Sequence, residues 1–556
     1  MKTAIKTSKH LIAVLALCAL MFGSCFKEID SQIPETQLSD ATFWITETHL
    51  IQGTNYLYTL LPGIGENNNS NWSDDGRGSG NNSISDGSRL EPLTSGDWNG
   101  NYSNIRAANN VLERAAEMTI SEQVKARYMS EARFFRAFFY MELIRRFGDV
   151  PLILQTMNIN DVLLTAPRTN RESVVSAIYA DLDEAVLHLP NSVQLPPSEY
   201  GRITQEACLA LKARVALFEG TFNKYHGLPN VQSHLSVARA SAESIMQAGT
   251  KALFEFIFEP DSSYFYLFRP FGNLAREEVI LPRLYGENPQ NPISTHSYPR
   301  NLQDGSTTPT RAIMDAYLYI DGLPNDGPNR SPLYRQRTNT LSEFEDRDPR
   351  MGMTVYKRGD FYTTNFYIPT FQSTQTGYKL KKWHNGPDDF NNFSVVHYKI
   401  LRYAEVLLTF AEASYELNGS ITDQELNQSI NLTRARAGMP ALTNAFVSTH
   451  GLNMLEEIRR ERRVELAFEG GHRYWDILRW SIAEDVLPPA QLGIQYFPQE
   501  YTPGTGINNP QLDANGYIIS QSAAIRSFNP ARDYLWPLPV QQLGLNPNLT
   551  QNANWR

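Results

Sequence analysis

The side chains able to do chemistry in this 556-residue chain are aromatic rings and short polar groups gathered in loops. Sugar rings present apolar C–H faces and hydroxyls, and flat Trp or Tyr rings beside carboxylates, amides and guanidinium groups suit both. The stretch 63–97, rich in Gly, Asn, Ser and Asp, carries Trp72, Asp74, Asp75 and Arg77, and Trp98 and Asn101 follow it. A second aromatic-rich region, from about 250 to 394, holds Tyr264, Tyr266, Tyr285, His296, Tyr298, Tyr334, Tyr362, Tyr367 and Trp383. Motifs of catalysis are missing from the sequence: no His precedes a Glu, so there is no HExxH, and there is no GxSxG, P-loop or CxxC. His296, His384 and His397 lack metal-ligand spacing. Adjacent acids such as Asp74/Asp75 and Glu277/Glu278 say nothing about the carboxylate separation that glycoside hydrolysis needs, and more simply form a solvated face. The reading is a ligand-binding protein rather than an enzyme, with no cofactor and no metal.

Composition bounds the partners. A formal charge of −9 gives no basic footprint for nucleic acid. Charged residues at 20% and hydrophobic ones at 41% describe an ordinary globular chain. Residues 1–24 read as an export signal. Lys2, Lys6 and Lys9 precede an apolar run from Leu11 to Phe22 that is too short to span a bilayer. Gly23-Ser24-Cys25 then resembles a lipoprotein cleavage site, after which Cys25 becomes the acylated N-terminus; Phe22 departs from the aliphatic residue that the strictest form prefers. Cys18 would leave with the signal and Cys25 would carry lipid, so Cys208 remains alone, as a small buried hydrophobe.

The elements that must position these loops are helical. Glu131–Pro151 (EARFFRAFFYMELIRRFGDVP) has apolar residues around most of its circumference, the mark of a buried helix, and Gly148 with Pro151 is a strong stop. Its Glu142, Arg145 and Arg146 are expected to tie helices together. Asp40–Leu61, Trp98–Met118, Thr169–Pro190, Thr204–Glu219 and His234–Ala248 also carry helical patterns. Thr119-x-x-Glu122, Thr169-x-x-Glu172 and Thr422-x-x-Glu425 read as capping boxes. Helices return at Val395–Leu417, from Thr422 to about Gly438, at Leu452–Glu469 and at Tyr474–Trp480. Repeated short-loop pairs suggest tetratricopeptide-like units, split by long insertions. The expected organisation is a scaffold over about 40–250 and 395–482. Irregular segments occupy about 63–100, 250–394 and 484–556.

Separate blocks of the chain then agree on one family. RAFFYMELIRRFGDVPLI, LRYAEVLLTFAEASYEL, INLTRARAGMP, IRRERRVELAFEGGHRYWDILRW and YLWPLPVQQLGLNPNLTQN resemble, in order, blocks of the SusD/RagB family of Bacteroidetes outer-membrane lipoproteins. GRITQEACLALKARVALFEG and FEDRDPRM fit as well. The resemblance implies an all-α, tetratricopeptide-like superhelix with irregular insertions and little β-structure, forming one domain over 25–556. It implies a lipid-anchored protein on the outer face of the outer membrane. There it would capture a glycan, or in some members an oligopeptide, for a SusC-like TonB-dependent transporter. In the family the ligand face lies on the insertions, here the 70–101 loop and the 280–390 region. The candidate contacts are Trp72, Asp74, Arg77, Trp98 and Asn101, with Tyr285, His296, Tyr298 and Trp383. A hydrolase on the same scaffold, and a structural lid for the transporter, are the alternatives.

Overall fold

The computed structural model describes residues 43–286, 295–369, 371, 374–384, 393–500 and 510–555. The expected signal 1–24, Cys25 and the tether 31–36 lie outside the described residues. The longer helices are α1 (Glu47–Thr59), α2 (Gly96–Glu117), α3 (Glu122–Phe147), α4 (Arg171–Val186), α5 (Gln205–Tyr225), α6 (Val231–Ala248), α7 (Tyr403–Asn418), α8 (Met454–Glu465) and α9 (His472–Arg479). Consecutive helices pack side by side from α2 to α6, and α6 then packs on α7, so the array resumes across the long insertion. The strands are short: β1 (Gly76–Arg77), β2 (Val279–Arg283), β3 (Thr308–Pro309), β4 (Tyr398–Arg402), β5 (Gln491–Gln495) and β6 (Tyr517–Gln521). They pair antiparallel as β1–β3, β2–β4 and β5–β6. The fold is all-α, a helix-pair array carrying irregular insertions.

Helix α3 is the centre of the core. Phe134, Phe135, Phe138, Phe139, Leu143, Ile144 and Phe147 are all buried, against α2 on one side and α4 on the other. It stops where expected. Gly148 takes φ +70°, and a Cβ there would come within 3.0 Å of Leu535. The C-terminal segment completes the helix end. The Trp536 N–H donates to the Arg146 carbonyl (2.6 Å) and the Asn552 amide to the Phe147 carbonyl (3.0 Å). These are the carbonyls a helix end leaves unpaired. Cys208 is a buried free thiol in α5.

The caps differ in part from expectation. Thr422 and Glu425 form the reciprocal box. Helix α3 instead begins after Ser121 without a side-chain cap, and Asn170, not Thr169, caps α4 by accepting from the Ser173 N–H. In α4 an amide one residue along competes successfully for the same donors, because Asn is as good an N-cap as Thr. The helix expected after Thr422 is split into Asp423–Asn427 and Ile430–Arg436, and the Ser429 hydroxyl turns back to the Glu425 carbonyl (2.5 Å).

A lattice of buried ion pairs joins scaffold to insertions. Arg402, at the end of β4, donates to Glu278 (2.9 Å), Glu465 (2.8 Å) and Glu469 (2.7 Å). Arg350 reaches Asp348 (2.7 Å), Glu461 (2.5 Å) and Glu465 (3.0 Å). Arg436 pairs with Glu278 (2.6 Å) and Glu465, and Lys382 with Glu469 (2.7 Å). Burial pushes the Glu465 carboxyl up, but the guanidiniums of Arg436, Arg402 and Arg350 outweigh it and hold the pKa at about 2. Removing one partner from such a set leaves uncompensated buried charge, which costs about 3–5 kcal/mol. Glu465→Gln should therefore lower the urea midpoint strongly; an unchanged midpoint would mean that the lattice contributes nothing to stability. A depressed carboxylate pKa contributes stability that is fully present above the unfolded value, about 4.3. That contribution is lost as pH falls towards 2. Acid unfolding followed by near-UV circular dichroism should fall in that window, and shift upward in pH in Glu465→Gln.

Candidate functional site

The 63–100 stretch has more structure than a plain loop. Ile64–Trp72 forms a 3-10 helix, and Gly76–Arg77 pairs with Thr308–Pro309. Asp74 accepts from Arg473 Nε (2.8 Å) and Arg463 Nη2 (2.9 Å), and Asp75 also binds Arg463. Burial raises the Asp74 carboxyl, but the two arginines win and hold it below the usual carboxylate range. Asp74 is thus a strut between the loop and the α8–α9 region. Both of its carboxylate oxygens accept from these arginines.

The tryptophans are packed among other rings and backbone. Trp72 is ringed by Tyr474 (5.5 Å), Trp475 (6.2 Å) and Trp536 (5.4 Å), each edge-on. Trp98 is 4% exposed, packed on Tyr102 and Phe147. Trp383 is 0% exposed, with its indole N–H donated to the Phe468 carbonyl (3.0 Å). Tyr298 is buried too, and burial pushes its phenol up. Trp98, Tyr298 and Trp383 keep no open face for stacking, while Trp72 is half-buried. Large flat rings satisfy a core as readily as a ligand, and the core claimed them.

Tyr285 and His296 pack edge to face (4.6 Å). The Tyr285 hydroxyl accepts from the Ile64 N–H (3.1 Å), while His296 Nε2 donates to the Val396 carbonyl (3.0 Å). Burial lowers the His296 pKa to about 4, so the ring is neutral at physiological pH. Asn101 donates to the Asp97 carbonyl (2.5 Å) and lines a cavity beneath the first turns of α2. The expected residues are therefore not brought together into one site.

Arg77 is the exception, because it supports an exposed surface. Its guanidinium donates to the Gly80 carbonyl (3.0 Å), Asn81 Oδ1 (3.2 Å) and Gln375 Oε1 (2.8 Å), while the amides it orients lie on exposed residues. Gln375 in turn binds the Ser79 carbonyl. The segment leading into Gln375 is a hairpin. Phe361 bridges Phe366, the Gly359 N–H donates to the Tyr367 carbonyl (3.0 Å), and the Tyr362 N–H to the Asn365 carbonyl (2.9 Å). Side chains alternate across an extended strand. Tyr362 and Tyr367 turn inward, onto Tyr356 and His384, whereas Phe361 and Phe366 are 59% and 71% exposed, 6.4 Å apart. The Tyr367 hydroxyl donates to the Gly377 carbonyl (3.4 Å), tying hairpin to amide cluster. Two exposed aromatic rings, on a hairpin tied through Tyr367 to the segment that carries Gln375, suit an apolar ring face, and the exposed amides held by Arg77 suit hydroxyls. Sequence reasoning named the two tyrosines and missed the phenylalanines. The Thr363-Thr364-Asn365 turn between matched aromatic pairs was the available signal.

Comparisons with known proteins agree along the whole length. A model described as the SusD family matches residues 283–555, and one described as starch-binding associating with outer membrane matches 35–217. A SusD-like protein of Bacteroides ovatus is 26% identical over 506 residues, covering 85% of this chain and 82% of the relative. A SusD-like protein of Formosa agariphila is 23% identical, covering 95% and 96%. Among solved structures, a SusD-like carbohydrate binding protein from Bacteroides fragilis superposes with TM-score 0.74 at 25% identity, covering 92% of this chain and 100% of that one. A surface glycan-binding protein from Bacteroides uniformis superposes with TM-score 0.61 at 20% identity, covering 92% and 100%. Two matched models, one over 35–217 and one over 283–555, together with a shared helical fold, place the chain in the SusD/RagB family.

Proposed function

We propose that this protein captures a glycan chain on the Phe361/Phe366 hairpin and the adjoining Arg77–Asn81–Gln375 cluster, and passes it to a TonB-dependent outer-membrane transporter. The observation that carries the proposal is the pair of exposed aromatic rings on a hairpin that Tyr367 ties to the segment bearing Gln375. A solved structure named a SusD-like carbohydrate binding protein, and the 35–217 model named for starch binding, support the ligand class. The 35–217 model, named for association with the outer membrane, supports the location. Binding rather than catalysis is the role: the aromatic pair gives affinity through apolar contact, and the amides that Arg77 orients from beneath read hydroxyl positions. Acylated Cys25 would hold the protein at the membrane surface.

Each stacked ring contributes about 1 kcal/mol, roughly fivefold in affinity. The Phe361→Ala/Phe366→Ala double variant should therefore bind its polysaccharide some 25-fold more weakly by that estimate, read as lost retardation in native gels cast with a polysaccharide panel. Retardation by no polysaccharide, together with tight binding of oligopeptides, would move the assignment to peptide capture. Sugar release from the panel, abolished by a single carboxylate substitution, would make it a hydrolase. For the anchor, Cys25→Ala should shift the protein from the membrane to the soluble fraction, because acyl chains supply the attachment. Retention of the variant on membranes would exclude lipidation at Cys25.

A further inference from the structure

The cavity that Asn101 lines lies among the first turns of α2, the second half of α3, the Ile64–Trp72 helix and β4, and measures about 230 Å³. Gly96 and Gly100, one turn apart on α2 and so on one face, both line it. A Cβ added at either would meet nothing within 4 Å. Gly100 sits inside a helix, where glycine costs about 0.5–1 kcal/mol relative to alanine. No packing contact explains it; the open space in front of it does.

The walls of the cavity combine apolar side chains, among them Phe138, Phe139 and Trp475, with paired charges of both signs. Arg145 and Arg146 both donate to Glu142 (2.5 Å each), and Arg146 Nε lies 3.0 Å from Asp97. Glu66 faces the same space and accepts from the Asn69 amide (2.5 Å). Burial raises its carboxyl, and the nearby Glu142 charge adds to the rise. Arg145 Nε is buried without a hydrogen-bond partner among the described residues. Arg214 also lines the cavity but is held by Glu405 (2.6 Å), so Glu66, Asp97 and Glu142 face Arg145 and Arg146, with every arginine already on a carboxylate.

We propose that this cavity is a second, separate binding pocket that takes one neutral polyhydroxylated ring of pyranose size. An anion would have to displace Glu142 from the arginines, and a cation would meet Arg145 and Arg146. A neutral polyol needs neither exchange: its hydroxyls donate to carboxylates and accept from N–H groups. Pockets for drug-sized ligands run from about 300 Å³ upward, so this one admits a single ring and not a chain. No cluster able to hold a metal ion occurs among the described residues. The pocket stands independently of the hairpin surface. It can be true if that surface binds peptide, and false if that surface binds glycan.

The test is saturation-transfer NMR and calorimetry on the mature lipoprotein in detergent. The probes are glucose, galactose, mannose, fucose, xylose and N-acetylglucosamine. At least one should bind, and Gly100→Leu, which fills the cavity while leaving every charge in place, should weaken it at least tenfold. Leucine is a better helix former than glycine, so the variant should fold with an equal or higher thermal midpoint. Glu66→Gln serves as the second variant, and it too should reduce the sugar signal. The Phe361→Ala/Phe366→Ala protein should keep monosaccharide binding unchanged while losing retardation by polysaccharide. Absence of binding by all six sugars, or binding unaffected by both Gly100→Leu and Glu66→Gln, would overturn the pocket and leave it a water-filled void.

Discussion

The pairing of Arg402 with Glu278, Glu465 and Glu469 is the contact on which the rest of the molecule depends. Arg402 leaves β4 at the point where α7 begins, so it fixes the resumption of the helical array. Glu278 belongs to the insertion, Glu465 ends α8, and Glu469 lies in the turn before α9. Removing these charges from water is expensive, and their attraction offsets that only when the geometry is good and the remaining polar groups are satisfied. Here Glu278, Asp348, Glu461, Glu465 and Glu469 are matched against Arg350, Lys382, Arg402, Arg434 and Arg436, whose pairs bind several partners at once. The lattice confers specificity as much as stability. An insertion docked one residue out of register would leave a charge buried alone.

That arrangement gives a physical meaning to the blocks of sequence that resemble the family. LRYAE supplies Arg402, INLTRARAG supplies Arg434 and Arg436, FEDRDPRM supplies Asp348 and Arg350, and IRRERRVELAFEGG supplies Glu461, Glu465 and Glu469. The helical array was legible in sequence for ordinary reasons. Period-3.6 patterns marked the helices, Gly148 marked the end of α3, and Thr422 with Glu425 marked a start. The lattice was not legible, because its members are far apart in the chain and each reads singly as surface charge. Asp74 shows the consequence. An acid in an Asn- and Gly-rich stretch reads as exposed, and nothing local announces that Arg463 and Arg473 will bury it.

Several of the aromatic candidates are packed into the fold. Trp72, Trp98, Tyr298 and Trp383 were chosen for ring chemistry, but a ring large enough to grip a sugar is also the best filler for a junction between helices and loops. What separates the two uses is the side of the strand. On the 359–367 hairpin the alternation sends Tyr362 and Tyr367 inward and Phe361 and Phe366 outward, a distinction that composition does not carry. Arg77 is intermediate: buried itself, it holds Asn81 and Gln375, and so serves the surface from beneath.

Helix α3 joins these two uses. Its apolar residues make it a core element, and Glu142, Arg145 and Arg146 form a closed local group that reads as structural. A purely structural group would be expected to sit against packed neighbours. Here it faces a cavity whose rim carries two glycines with room in front of them, and Arg145 Nε is left unpaired beside it. An unpaired buried donor costs about 1–3 kcal/mol unless a molecule enters to accept from it. Water can do so, and so can a hydroxyl of a ligand. The lining offers acceptors and donors close together around one small volume, which matches the paired hydroxyls of a sugar ring better than it matches any single ion. The core helix can therefore form one wall of a binding pocket without ceasing to be the centre of the fold.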